Sequence, residues 1–242
     1  MDAAVLFDYG NTLTAPDAPV PGMWTLAVAA AAAHLSGLGC PGAAAPGFAA
    51  HLERLLHDRL DPIWQRGEDA PWGEVIASAF PGTEPRALER AMRRAMLAHT
   101  HLARGAAQTL RALRAAGLRL AVVSDVSCFS HSLAWELDQL GIGPYFDAVV
   151  TSGEVRRCKP ASQMFASALA ALAVPPQAAW MVGDWWEGDI QGARALGIRP
   201  VWRRRDPRLV CPEGGIPVID DLPQLIPLVV GTGDAMPRSR EE

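Results

Sequence analysis

Five short apolar runs, four of them preceded by a helical pattern, narrow the fold of this chain more than any other feature. Ala4 to Asp8, Leu118 to Ser124, Phe146 to Ser152, Ala179 to Asp184 and Ile198 to Trp202 each read as a buried strand bounded by turn signals. Helical patterns at 105–116, 131–140, 162–173 and 190–196 stand before the later four. Strands that are apolar throughout and separated by helices of this length imply right-handed crossovers. The expected fold is therefore α/β, a parallel sheet covered by helices on both faces.

The stretch from about Ala15 to His101 breaks the rhythm. It shows no clear strand, and its Ala, Leu, His and Arg pattern is broken at Pro41 to Gly47, Pro62, Pro71 and Pro81. Several short helices are expected there, inserted between the first strand and the rest of the sheet. From Gly231 onward Gly, Asp, Pro, Ser, Arg and Glu dominate, the composition of a frayed tail. The predicted organisation is a discontinuous core of residues 1–15 and 102–230, a helical insert at 16–101, and a tail at 231–242.

At 242 residues and 50% hydrophobic, the chain can build one sizeable core with a smaller domain beside it. A net charge of −4 with scattered arginines gives no footprint for nucleic acid. Arg203-Arg204-Arg205 reads as a solvated loop. Cys40, Cys128, Cys158 and Cys211 form no C-x-x-C pair and no metal-ligand spacing, so a reducing cytoplasm is expected. The apolar run Ala27 to Ala33 is far shorter than the roughly 20 residues that cross a bilayer. No basic region precedes it, so neither a membrane span nor a leader is expected.

Polar residues at the carboxyl ends of the strands carry the most weight, because ligands of open parallel sheets bind at that edge. Asp8 ends the first run, Ser124 and Asp125 the second, and Asp184 a later one, with Asp189 five residues on. Lys159, the one lysine among 22 basic residues, lies just before a helix and could reach the same edge. A sole lysine in an Arg-rich chain either marks a place where a compact ammonium is needed or is a compositional stray. In company with the carboxylates and a hydroxyl it makes an oxygen-rich site suited to Mg²⁺ and a phosphoryl group. A carboxylate such as Asp8 is also among the nucleophiles able to form a covalent phosphoryl intermediate.

Phe7-Asp8-Tyr9-Gly10-Asn11-Thr12-Leu13, Val123-Ser124-Asp125, Lys159-Pro160 and Gly183-Asp184-Trp185-Trp186-Glu187-Gly188-Asp189 resemble, in order, the four motifs of the haloacid dehalogenase (HAD) superfamily. The resemblance implies a Rossmann-like parallel sheet core with an inserted all-helical cap, and Mg²⁺-dependent hydrolysis of a small phosphorylated substrate through an aspartyl-phosphate. By the same resemblance Asp8 is the nucleophile, Ser124 a phosphate hydrogen-bond donor and Lys159 the cation that steadies both. Asn11, Thr12 and Asp125 are then candidates for binding the phosphate. Asp8, Asp184, Asp189 and the Gly10 carbonyl would hold Mg²⁺.

Phosphatases of this superfamily usually carry a second Asp two residues after the nucleophile, where it protonates the leaving group. Here that position is Gly10, which has no proton to give. General acid-base help is worth roughly 10²- to 10⁴-fold, so the chain should be slow, use another acid, or do different chemistry. Asp125, where the family more often has Asn, could supply the acid, or it could point away. Glu68, Asp69 and the histidines His34, His51, His57, His99 and His101 lie in or beside the insert and could donate a proton on closure, although surface or core roles suit each of them. Trp185 and Trp186 are expected to pack against the cap. Trp24, Trp64 and Trp72 are expected in the insert's own core.

A phosphonoacetaldehyde hydrolase would need a cap lysine for its Schiff base, and Lys159 is the only lysine. A 2-haloacid dehalogenase would attack carbon from the first Asp and needs no metal, whereas Asp184 and Asp189 keep a metal-type spacing. A weakly active binding or regulatory module remains the alternative outside enzymology.

Overall fold

The computed structural model describes residues 4–16 and 22–231. Its main sheet has six parallel strands in the order β5-β4-β1-β6-β7-β8. They are β1 (Ala4–Phe7), β4 (Arg119–Ser124), β5 (Ala148–Thr151), β6 (Ala179–Gly183), β7 (Arg199–Arg203) and β8 (Val218–Ile219). The five expected strands are all present, and β8 is an addition. It is only two residues long, too short to carry a pattern.

Helices cover both faces as the apolar runs require. Val5 and Phe7 of β1 point to the face covered by α5 (Ala106–Ala115), α6 (Ser130–Gln139) and α10 (Leu225–Val230), where Leu110, Leu113, Leu133 and Leu137 are buried with them. Ala4 and Leu6 point the other way, toward Met164, Phe165 and Ala168 of α8 (Ser162–Leu172) and Ala193 of α9 (Gly192–Ala195). This alternation is the two-residue period of a strand. Each fully buried Leu, Met or Phe contributes about 1.5–3 kcal/mol, so the two apolar layers fix the register of the central strands.

The insert comprises α1 (Met23–Gly37), α2 (Phe48–Trp64), α3 (Trp72–Ala79) and α4 (Pro85–Leu97) around a core of its own that includes Leu35, Leu52, Leu56, Leu60, Ile76, Leu88 and Met92. Helix α4 starts where the sequence signals it. Pro85 stands in the first turn, and the Glu84 carboxylate accepts the Arg86 and Ala87 amides. The expectation of no strand from 15 to 101 is corrected at both margins. β2 (Thr14–Pro16) pairs antiparallel with β3 (Thr100–Leu102), a two-stranded ribbon through which the chain leaves and re-enters the core. Three-residue strands rich in Thr, Pro and His carry too little periodicity to be read. α10 reaches Val230, and residues 232–242 of the expected tail lie outside the described residues.

Two buried carboxylates fasten the insert to the core. Asp69 accepts from Trp64 Nε1 at 2.7 Å and from the core hydroxyls of Ser127 (2.7 Å) and Ser152 (2.6 Å). Glu89 accepts from the Phe129 amide at 3.0 Å and Ser132 Oγ at 2.6 Å, as well as from Gly73 N at 3.3 Å within the insert. Glu68 pairs with Arg157 at 2.8 Å. These acids hold the two parts together.

Candidate active site

β1, β4 and β6 are adjacent in the sheet, and their carboxyl ends bring Asp8, Ser124 and Asp184 to one edge at the point where the strand order reverses. Beyond β1 the chain turns sharply. The amides of Leu13 and Thr14 both donate to the Tyr9 carbonyl, and Asn11 takes a left-handed φ of 58°, which Asn tolerates better than most residues. Beyond β6, a π turn at Trp186–Gln191 swings Asp189 inward, where its Oδ2 accepts the Trp185 amide at 3.0 Å. Gly183 makes room for it, since a Cβ there would lie 2.2 Å from Asp189 Oδ2. Lys159, followed by a cis Pro160, enters from the segment ahead of α8.

The Lys159 ammonium is buried between two carboxylates, 2.7 Å from Asp8 Oδ1 and 2.6 Å from Asp189 Oδ1. It also donates to the Val123 carbonyl at 3.4 Å. Burial works against its charge, yet the adjoining Asp8 and Asp189 outweigh that penalty and hold its pKa above the usual lysine range. Oxygens of Asp8, Asp184 and Asp189 all lie within 4.8 Å of one another. Burial raises both Asp184 and Asp189 above the ordinary carboxylate range. The charge of Asp8 adds to this, while Arg205 and Lys159 pull the other way.

Asp184 is held from two sides, by Thr12 Oγ1 at 3.3 Å and by Arg205 Nε at 2.9 Å. The hydroxyl of Thr12 is thus turned to Asp184. The role of Arg205 went unrecognised: Arg204 and Arg205 lie in the exposed loop after β7 that the triplet suggested, but the cations are paired. Arg203 ends β7 and donates to the Asn11 carbonyl, Arg204 pairs with Asp220 at 2.8 Å, and Arg205 joins the acid cluster. Each cation meets an oxygen brought to the strand edge by the fold, a partnership with no local signal in the sequence.

Beside this cluster lies a cavity of about 270 Å³ lined from the core by Tyr9, Gly10, Asn11, Ser124 and Asp125, and from the insert by Met23, Arg93 and Met96. Asp125 does not point away. It lines the cavity while its Oδ1 accepts the Lys159 amide at 2.9 Å, and burial pushes it up to about 6 against the pull of Lys159. No histidine lines the cavity. Among the described residues, neither motif tryptophan has a ring partner in the insert. Trp186 meets Trp202 of β7 edge-on at 5.7 Å, and Trp185 is exposed. Trp24 packs edge-on against Trp72 at 5.3 Å within the insert.

A parallel sheet with a lysine-bridged acid cluster at its carboxyl edge, beside a helical insert, is a Rossmann-like core with its polar site at the strand ends. The family model for haloacid dehalogenase-like hydrolases matches residues 3–197, and the chain belongs to this family. It is 35% identical over 155 residues to a ribulose-1,5-bisphosphate 5-phosphatase of Halopiger xanaduensis, an alignment that spans 64% of this chain and 59% of that protein. The chain therefore spans less than two thirds of that curated relative. Among solved structures, it is similar to a HAD phosphatase from Thermococcus onnurineus (TM-score 0.61, 22% identity, 94% of this chain and 97% of the other). It is likewise similar to a 2-haloacid dehalogenase from Pseudomonas syringae (TM-score 0.63, 24% identity, 96% and 99%). At these identities the two structures speak for the fold alone.

Proposed function

We propose that this chain is a Mg²⁺-dependent phosphatase acting on a small phosphate monoester through a phospho-aspartyl intermediate on Asp8. The observation that carries this reading is the convergence of three carboxylates within 4.8 Å of one another beside the Lys159 ammonium. All the donors are oxygens, as a hard cation prefers. Three carboxylates face one ammonium and one guanidinium, which leaves negative charge unbalanced, so the site fits a divalent cation. When bound, Mg²⁺ would be held by Asp8, Asp184, Asp189 and the Gly10 carbonyl, and it would supply the positive charge that draws phosphoryl oxygens into the site.

Lys159 occupies Asp8 Oδ1, which leaves Oδ2 to attack phosphorus. The Oδ2–P bond forms as the ester P–O bond breaks. Ser124 donates to a phosphoryl oxygen, and Asn11 closes the near side of the cavity. Thr12 and Arg205 keep Asp184 in place. The departing oxygen takes its proton from Asp125, the cavity carboxyl not locked into an ion pair, and water then cleaves the acyl phosphate to regenerate Asp8 and release phosphate. The ribulose-1,5-bisphosphate 5-phosphatase relative supports the choice of a phosphate ester.

Gly10 favours a second reading, attack of Asp8 on the carbon of a 2-haloacid, because a departing halide needs no proton. A panel of phosphate monoesters and 2-haloacids assayed with and without Mg²⁺ separates the two. Metal-dependent phosphate release that vanishes in Asp8→Asn is the expected result. Metal-independent halide release would replace the reading, and inactivity on both would leave a binding or regulatory protein.

A further inference from the structure

Arg93, the one cation among the described residues that line the cavity, is already spoken for, and this bears on what the substrate can carry. Arg93 of α4 reaches down from the insert and Glu136 of α6 reaches up from the core, and they form an ion pair of 2.9 Å in which both side chains are buried. The second oxygen of Glu136 accepts the Tyr9 hydroxyl at 2.7 Å, and Arg93 Nη2 donates to Cys128 Sγ at 3.2 Å. The charge of Arg93 is cancelled by its partner. One polar atom of the pair is left over, Arg93 Nε, a buried N–H without an acceptor.

Apart from Asn11 and Ser124, the rest of the described lining is largely apolar or turned inward on itself. Met23, Met96 and Val126 present hydrocarbon and sulfur. The Thr14 hydroxyl donates to the Tyr9 carbonyl at 3.1 Å and the Thr100 hydroxyl to the Met96 carbonyl at 3.0 Å. Asp125 adds an acid on the core side. A second anion on the substrate would therefore meet a largely apolar lining with no free counter-charge, beside Glu136 and Asp125, and taking a charge out of water without a partner is costly. Arg93 Nε, closed off by its burial, offers such a charge no donor. A cavity of about 150 Å³ accommodates benzene, so 270 Å³ has room for a ring or a short carbon chain.

We infer that the ester this site hydrolyses has an uncharged, largely apolar leaving group, and that the Arg93–Glu136 pair excludes substrates bearing a second phosphate or carboxylate. The inference rests on the phosphatase reading and narrows its substrate class.

The test compares kcat/KM for phenyl phosphate, 4-(hydroxymethyl)phenyl phosphate and 4-carboxyphenyl phosphate with Mg²⁺ present. The native protein should favour both neutral esters over the carboxylate by about tenfold or more. Glu136→Gln, which keeps the shape of the side chain and frees the Arg93 charge, should shrink that preference by about tenfold. Equal or better turnover of the carboxylate ester by the native protein overturns this inference and leaves the phosphatase reading intact. An unchanged preference in folded Glu136→Gln overturns the role of the pair. No turnover of any of the three esters refutes the phosphatase reading, and the inference with it. If Glu136→Gln does not fold, the comparison in the native protein decides.

Discussion

Asp125→Asn separates the acid of this site from its scaffold. The substitution removes one proton and keeps an oxygen where Asp125 Oδ1 accepts the Lys159 amide at 2.9 Å, so the loop that delivers Lys159 stays in place. With the carboxyl titrating at about 6, half of the molecules hold the proton at pH 6 and about a tenth at pH 7. The acid is useful only while protonated, so alkyl phosphate turnover should fall as pH rises through 6. General acid catalysis is worth roughly 10²- to 10⁴-fold. For ethyl phosphate at pH 6, Asp125→Asn should thus lower kcat by about 10²-fold and flatten the pH profile. For 4-nitrophenyl phosphate, whose leaving group departs without a proton, the loss should stay below about threefold. Phosphate release across pH 5 to 8 on both esters, with thermal melts as a control on folding, measures this. Equal losses on the two esters, or an alkyl profile with the same shape in both proteins, would refute the assignment.

Three other perturbations probe separate parts of the structure. A Cβ at Gly10 meets nothing within 4 Å, so Gly10→Asp should leave the melting temperature unchanged and restore alkyl phosphate turnover to Asp125→Asn, while Gly10→Asn should not. Gly183→Ala drives a methyl into Asp189, with 2.2 Å to Oδ2, and should weaken Mg²⁺ binding in titration calorimetry at a stability cost of about 1–3 kcal/mol. Glu89→Ala orphans Phe129 N, Ser132 Oγ and Gly73 N, each worth about 1–3 kcal/mol when left unpaired, and should lower stability in urea melts far more than Glu89→Gln does.

What the sequence made legible follows the reach of its signals. Runs such as Leu118 to Ser124 are apolar because both faces of β4 are covered, so burial itself wrote the pattern, and the acids at the strand ends stood out against it. The ribbon β2–β3 and the two-residue β8 are too short to show a period. Arg205 on Asp184 and Arg93 on Glu136 were illegible for a different reason. Each partner lies on another element, and an arginine carries the same local appearance whether it faces solvent or a buried carboxylate. Asp125 was visible as a departure from the family pattern, yet only the folded chain shows that its carboxyl supports the Lys159 backbone at the margin of the cavity.

Gly10 has so far counted as a missing proton, but the empty space above it is also volume. It opens directly onto the cavity that lies between the core loop and the insert. A carboxyl mounted there would stand where the leaving group has to sit. On the proposed phosphatase reading, a glycine here exchanges a catalytic group for capacity. A variant with the acid restored should then gain speed on small alcohols while rejecting bulky ones, so that breadth of substrate and rate of protonation are set against each other at a single position.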